Sequence, residues 1–327
     1  MKVLVTGANG FLATNIIREL NSRQIKVRGL VRKRSKLISS EVAKYEKFIG
    51  DLSNYNDVRS AALGCDVIIH AAANTSQTFS DELLNDNVDG TSNVIGVCEE
   101  LDIERLIFVS SANTFGYGNY NDPGDETREM HTNFKNSVYA SSKLKAQEAV
   151  LKANNEGRIK ALVVNPSFLV GKYDSKPSSG KLITTYLNGR VALCPPGGKS
   201  FIHAKYAANA ICNAITMGKN GQCYLLTGEN LSYRQFYNKL SLVTGIERYT
   251  FSVPAFILQI LGLIGSVVNM LGIQIPLNHV NAKILSIKNY YSNKKAITEL
   301  KMPVTSMNDA IKDAVTWFVE NKHTKAC

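Results

Sequence analysis

Apolar positions in the first half of the chain fall into short runs separated by stretches with helical spacing. Residues 2–6, 25–31, 44–49, 66–70, 105–109 and 159–164 read as strands. Residues 11–20, 56–63, 81–100 and 137–154 place their apolar side chains at the period of a helix. Strand and helix alternating with short connections predicts a parallel sheet covered by helices on both faces. The right-handed crossover rule makes this an α/β, doubly wound sheet.

After Pro166 the rhythm breaks. Residues 171–180 read as a polar loop, and Cys194-Pro195-Pro196-Gly197-Gly198 as a turn. A helix over 204–217 and a strand over 222–227 read as a return to the main sheet, and the chain from Leu231 onward as helices. The expected organisation is a dinucleotide-binding Rossmann domain over 1–165, with 200–228 returning to it. A smaller, discontinuous, mostly helical substrate-binding lobe is expected over 166–199 and 229–327, with a cleft between the two. Residues 249–282 contain no formally charged side chain, and 256–275 are dominated by Leu, Ile, Val, Gly and Met. A membrane span needs about 20 apolar residues. Here Gln259, Ser266, Asn269 and Gln274 interrupt the run. The segment therefore reads as a helical pair lining an apolar pocket, with peripheral membrane contact as the alternative.

The turn Val5-Thr6-Gly7-Ala8-Asn9-Gly10-Phe11-Leu12-Ala13 joins the first strand to the first helix. Glycines there let the backbone bend sharply and approach a pyrophosphate, and the helix N-terminus offers unpaired N–H groups to it. Gly7, Asn9, Gly10, Phe11 and Leu12 are therefore candidate dinucleotide ligands. An NAD site carries an acid about 20 residues further on, for the ribose hydroxyls. Arg32 stands there instead, followed by Arg34 and Lys36. A guanidinium favours a 2′-phosphate by charge and by its two-pronged geometry, so NADP is the expected cofactor, NAD the alternative, and a solvated basic loop the bland reading. Asp51 and Leu52, after the third strand, and Ala71, Ala72 and Ala73, after the fourth, lie at carboxyl ends of strands, where such a sheet binds its ligand.

Ser110-Ser111 follows the fifth strand, and Tyr139-Ala140-Ser141-Ser142-Lys143 opens the next helix. Tyr139 and Lys143, four residues apart, share a helix face. A free tyrosine has a pKa near ~10 and needs a neighbouring cation to act as an acid–base group at neutral pH. Lys143 is expected to supply that charge and to hold the nicotinamide ribose, while Ser111 steadies the oxygen of a substrate carbonyl.

These motifs together resemble the extended short-chain dehydrogenase/reductases, the NAD-dependent epimerase/dehydratase superfamily. The residues that carry the resemblance are Thr6–Leu12, Ser111 before Phe115-Gly116, Tyr139 and Lys143. Asn165-Pro166-Ser167, Gly171 and Pro196-Gly197-Gly198 before Phe201-Ile202-His203 are similar to the branch of dihydroflavonol reductases and 3β-hydroxysteroid dehydrogenases. The resemblance spans nearly the whole chain and fades between about Phe251 and Leu285. It implies that Pro166 and Ser167 lie beside the nicotinamide and that the protein forms a homodimer. Two departures matter. Ala13 replaces a common glycine, a mild change. Lys199-Ser200 replaces the Arg-Asp with which sugar-nucleotide epimerases grip a diphosphate, and a lysine lacks the fork of an arginine.

The net charge of +11 suits an acidic partner, whether a phosphorylated cofactor, an acyl-CoA, a nucleotide sugar or an anionic membrane. Its basic residues are not interleaved with aromatics as a nucleic-acid platform requires, so nucleic acid is not expected. Six scattered cysteines have no metal-ligand spacing, so no metal is expected and the thiols read as reduced. Met1 runs straight into Val3-Leu4-Val5, which predicts no secretory leader and a cytoplasmic protein. The sequence thus predicts an NADP-dependent oxidoreductase that reduces a ketone or aldehyde of a mainly apolar small molecule. A nucleotide-sugar epimerase or dehydratase using NAD and a non-catalytic dinucleotide-binding protein are the alternatives.

Overall fold

Seven parallel strands build the main sheet: β1 (Lys2–Thr6), β2 (Lys26–Val31), β3 (Glu46–Ile49), β4 (Val67–His70), β5 (Arg105–Val109), β6 (Ala161–Pro166) and β10 (Cys223–Leu226). They belong to a computed structural model that describes residues 1–32, 44–74, 81–271, 273, 275, 277–304 and 306–324, with 81–86 described for their helical backbone alone. The spatial order is β10-β6-β5-β4-β1-β2-β3, so the direction of winding reverses between β1 and β4. Loops leaving the two strands there diverge to opposite faces, and the crevice between them is where an open α/β sheet takes its ligand.

Alternation along β1 serves two layers. Val3 and Val5 pack with α1 (Phe11–Ser22), α7 (Ala204–Met217) and α11 (Lys294–Leu300). Leu4 points the other way, into the layer of α2 (Tyr55–Ala62), α3 (Asp81–Glu100) and α5 (Val138–Asn155). Because both faces are covered, β4 and β6 are buried along their whole length.

The smaller lobe has its own core. β9 (Gly198–His203) pairs with β7 (Phe168–Val170), β11 (Glu229–Ser232) and β13 (Lys288–Asn289), and β8 (Val191–Cys194) pairs in parallel with β12 (Tyr249–Ser252). Phe201 of β9 stacks on Phe236 at 4.5 Å, both fully buried. α6 (Lys181–Asn188), α8 (Tyr233–Thr244) and α12 (Met307–Glu320) close over that pair. The short α4 (Thr132–Lys135) precedes α5, and α9 (Ala255–Met270) packs on α10 (His279–Ser286).

Two expectations need adjusting. Within 200–228 only α7 and β10 rejoin the main sheet, because β9 belongs to the smaller sheet, where Phe201 meets Phe236. The chain after Leu231 is not helix alone: it also forms β12 and β13, strands of 4 and 2 residues. Such strands are too short to show a period and are held by their partners.

Replacing Phe236 with alanine removes a fully buried ring from the small-lobe core. It should cost about 3–5 kcal/mol in chemical denaturation, and a loss near zero would show that the lobe repacks freely.

Candidate active site

Gly7 is the pivot of the first turn. Its φ of +65° lies in the left-handed region, and a Cβ built on it would come within 2.8 Å of the Ala72 backbone. The turn after β1 and the loop after β4 therefore lie directly against each other, which needs both the glycine and the small alanine. The Leu30 carbonyl holds the turn from the other side, accepting from the N–H groups of Gly7 and Ala8 at 3.1 and 3.3 Å. No side chain caps the first turn of α1. Its N–H groups thus face the crevice, where an anion satisfies them.

This crevice opens into a cavity of about 1570 Å³. Pockets for one drug-sized ligand run to about 300–1,000 Å³, so there is room for a dinucleotide and a second molecule. Gly7, Asn9, Gly10, Phe11, Leu12, Arg32, Asp51, Leu52, Ala71, Ala72, Ala73, Ser111, Tyr139, Lys143, Pro166 and Ser167 all line it. Lys36 and Arg34 lie outside the described residues. Arg32 is exposed at the end of β2. One oxygen of the Asp51 carboxylate already accepts from the backbone and the hydroxyl of Ser53, both at 3.0 Å.

Ser137 caps α5, accepting from the Ala140 N–H at 3.4 Å, which puts Tyr139 in the first turn and Lys143 one turn further on. Burial raises the Tyr139 phenol above its ordinary pKa, and a hydrogen bond from Ser111 pulls it part of the way back. Ser111 is oriented for this, because its Oγ accepts from the Asn113 N–H at 3.3 Å and so keeps its proton to donate. The Ser111 carbonyl is held in turn by the Thr114 hydroxyl at 2.8 Å and the Asn165 amide at 3.2 Å.

Lys143 behaves differently from the sequence expectation. It is 2% exposed, and burial lowers its pKa to about 7. Its Nζ sits 4.5 Å from the centre of the Phe108 ring, and its charge is not among the groups that hold the Tyr139 phenol down. An ammonium in so dry a place sheds its proton readily. An anion or hydroxyl groups entering the cavity would favour its charged form.

His70, at the end of β4, is the feature that sequence reasoning missed. Thr91 commits its hydroxyl proton to the Asn87 carbonyl at 2.7 Å, so at 3.1 Å His70 Nε2 must donate to Thr91. Nδ1 is then bare and accepts from Thr6 Oγ1 at 2.7 Å. The ring is neutral, its pKa pushed down to about 3 by burial first and by Lys143 second. Asn87 extends the chain, donating to Ser142 Oγ at 3.0 Å and to the Asn74 carbonyl at 3.1 Å. One buried set of hydrogen bonds thus links β1, β4, α3 and α5.

Other polar groups await a partner. Ser110 Oγ, Ser167 Oγ and Asn289 Oδ1 are buried with no hydrogen-bond partner among the described residues, and all three residues line the cavity. Buried hydroxyls without partners are rare in folded proteins, and these suit the polar groups of a dinucleotide and its substrate. Lys199 lines the far end, where burial alone lowers its pKa to about 8. Leu277, Val280, Ile284 and Leu285, from α10 and the segment before it, give the cavity apolar lining, interrupted by Asn278 and Asn281. The uncharged stretch 249–282, expected as a helical pair lining an apolar pocket, forms α9 and the start of α10, and it is α10 that lines the cavity; nothing in the local sequence marks Asn289 as a site element.

The model of the NAD dependent epimerase/dehydratase family matches residues 3–226. A protein of Synechocystis sp. (strain ATCC 27184 / PCC 6803 / Kazusa), provisionally named a dihydroflavonol 4-reductase, is 29% identical, over 98% of this chain and 95% of its own. Sterol demethylase protein B of Methylococcus capsulatus is 28% identical, over 98% and 99%. The crystal structure of gox2253 superposes with a TM-score of 0.86 at 28% identity, covering 99% of both chains.

The neutral histidine makes stability depend on pH. The folded pKa of His70 lies below its ordinary 6.5, at about 3, so the unfolded chain binds the extra proton between those values and stability falls as pH drops from 6.5 towards 3. His70→Gln keeps a donor but cannot be protonated. Its melting temperature should fall less steeply than that of the parent over this window, and parallel curves would show that His70 is not held neutral.

Proposed function

Because the chain belongs to the NAD dependent epimerase/dehydratase family, a group of NAD(P)-dependent oxidoreductases, we propose that it is an NADP-dependent reductase acting on a ketone or aldehyde of a mainly apolar small molecule. The observation that carries this reading is that Ser111, Tyr139 and, one helical turn further along α5, Lys143 line one cavity. All three share a cavity with the glycine turn and with the apolar side chains of Leu277, Val280, Ile284 and Leu285. When bound, the nicotinamide supplies the hydride. Ser111 donates to the substrate oxygen and steadies its growing charge. Tyr139 gives that oxygen a proton, and Lys143, charged beside the bound cofactor, lowers the cost of leaving a phenolate behind. Gly7, Gly10 and the first turn of α1 hold the diphosphate, and Arg32 holds the 2′-phosphate. Ser110 and Ser167 offer their unpartnered hydroxyls to the nicotinamide half. The naming of one full-length relative as sterol demethylase protein B agrees with an apolar substrate.

A second reading has one observation in its favour. Lys199 makes no ion pair among the described residues and borders the cavity, so it could hold the diphosphate of a nucleotide sugar. An NAD molecule that stays with the purified protein, together with turnover of a nucleotide sugar, would favour that reading.

Titration with NADPH and NADH, followed by a carbonyl panel with the preferred cofactor, tests the leading proposal; a panel without turnover would sink it. Tyr139→Phe should leave cofactor binding intact and lower turnover by about 100-fold or more, the usual weight of a positioned acid. Undiminished turnover would remove Tyr139 from the mechanism. Arg32→Ala should weaken NADPH by about 10- to 100-fold, as loss of a charged hydrogen bond does, and leave NADH nearly unchanged. An equal effect on both cofactors would count against a 2′-phosphate contact.

A further inference from the structure

α9 is apolar around almost its whole circumference, yet it buries only Leu258, Gly262 and Gly265. Those residues form its seat on α10, where Gly262 lies so close that a Cβ would meet the Ala282 side chain at 2.5 Å. The opposite face stands in solvent: Phe256 is 65% exposed, Leu263 53%, Val267 57% and Met270 85%, with Ile260 and Ile264 between them. At about 100° per residue, these positions sweep roughly a third of the cylinder, and the exposed Ile257 and Leu261 widen the arc to about half.

A second apolar surface precedes it. β12 pairs with β8 in a register that sets Tyr249 beside Val191 and Phe251 beside Leu193, and all four are exposed. Only Val253 and Pro254 separate β12 from α9. Soluble monomers seldom leave a contiguous apolar patch of this kind uncovered.

Charge selects the occupant. From the start of β12 to the end of β13, residues 249–289, the chain carries Lys283 and Lys288 and no Asp or Glu. Lys283 is exposed on α10, and Lys288 is exposed next to it on β13. A second copy meeting this face through a two-fold axis would set like charges against like. An anionic lipid surface complements them. Among the described residues no helix is long and apolar enough to cross a membrane. α9 has 16 residues, about 24 Å of helix against a hydrocarbon core of about 30 Å.

We propose that α9, with the exposed face of β8 and β12, is a monotopic docking surface that lies in the headgroup region of an anionic bilayer. α9 is also the outer support of α10, whose Val280 and Ile284 wall the cavity. Docking would therefore hold this apolar lining of the cavity at the lipid surface, where a substrate of the class proposed above dissolves. The docking itself does not depend on the redox reading and is measured without turnover.

The test is flotation of the full chain with vesicles of phosphatidylcholine alone and of phosphatidylcholine with phosphatidylglycerol. Binding should appear with the anionic vesicles and weaken as salt rises. Ile260→Gln with Ile264→Gln, and separately Phe256→Gln with Leu263→Gln, should each reduce it by more than about tenfold, the loss expected when large apolar side chains no longer leave water. NADPH binding reports that each variant folds. Lys283→Gln with Lys288→Gln should reduce the preference for anionic vesicles. Absence of vesicle binding by the parent chain overturns the proposal. So does binding that falls with salt but ignores both apolar pairs, since charge alone would then account for it. A concentration-dependent dimer that the apolar substitutions dissolve, without vesicle binding, would assign the face to a second copy instead.

Discussion

The neutral imidazole of His70 is the constraint on which the arrangement of the site depends. It stands at the switch point of the sheet, accepts from Thr6 on β1 and donates to Thr91 on α3. The bond accepted from Thr6 needs an uncharged ring, and the buried position enforces one. Through Asn87 the same set reaches Ser142 on α5, between Tyr139 and Lys143. The strand ends that shape the crevice and the helix that carries the candidate acid are thereby held in one register. A polar network buried this deeply stabilises only when every member is satisfied, and here every member has a partner.

Around this fixed frame the cavity keeps groups that the protein itself does not satisfy. Ser110, Ser167 and Asn289 leave buried polar atoms without partners among the described residues, and Lys143 and Lys199 are cations with depressed pKa values. A buried polar atom or cation of this kind is costly without a partner and favourable beside polar or anionic groups. Ligand binding and local stability are therefore coupled in the same residues, and the electrostatics of the site are completed by what binds there. Lys143 illustrates this best: its ammonium lies over the Phe108 ring, and burial leaves the phenol of Tyr139 high.

The large sheet and its first turn were legible because their signals are local and redundant. Gly7 has to be a glycine for two reasons, its positive φ and its approach to Ala72, and both motifs are visible in the chain. Central strands such as β4 and β6 read as apolar runs because they are covered on both faces. The small lobe was harder to read. β12 and β13 are short, and β9 lies in a stretch read as a return to the main sheet. Their positions follow from the aromatic core around Phe201 and Phe236, whose members come from distant parts of the chain.

By itself, the sequence determined the βαβ order, the glycine turn, the basic residue at the end of β2 and the spacing of Tyr139 from Lys143. Each is set by the conformational limits of neighbouring residues or by the period of one element. Tertiary structure alone decided the protonation of the groups that matter. A histidine held neutral, a lysine brought to about 7 and a phenol raised by burial are consequences of lost solvent. It also decided which half of α9 is spent on α10 and which half stands bare. In a helix that is apolar nearly all round, the pattern of residues names no inner face, so only packing against Ala282 and Leu277 could choose one.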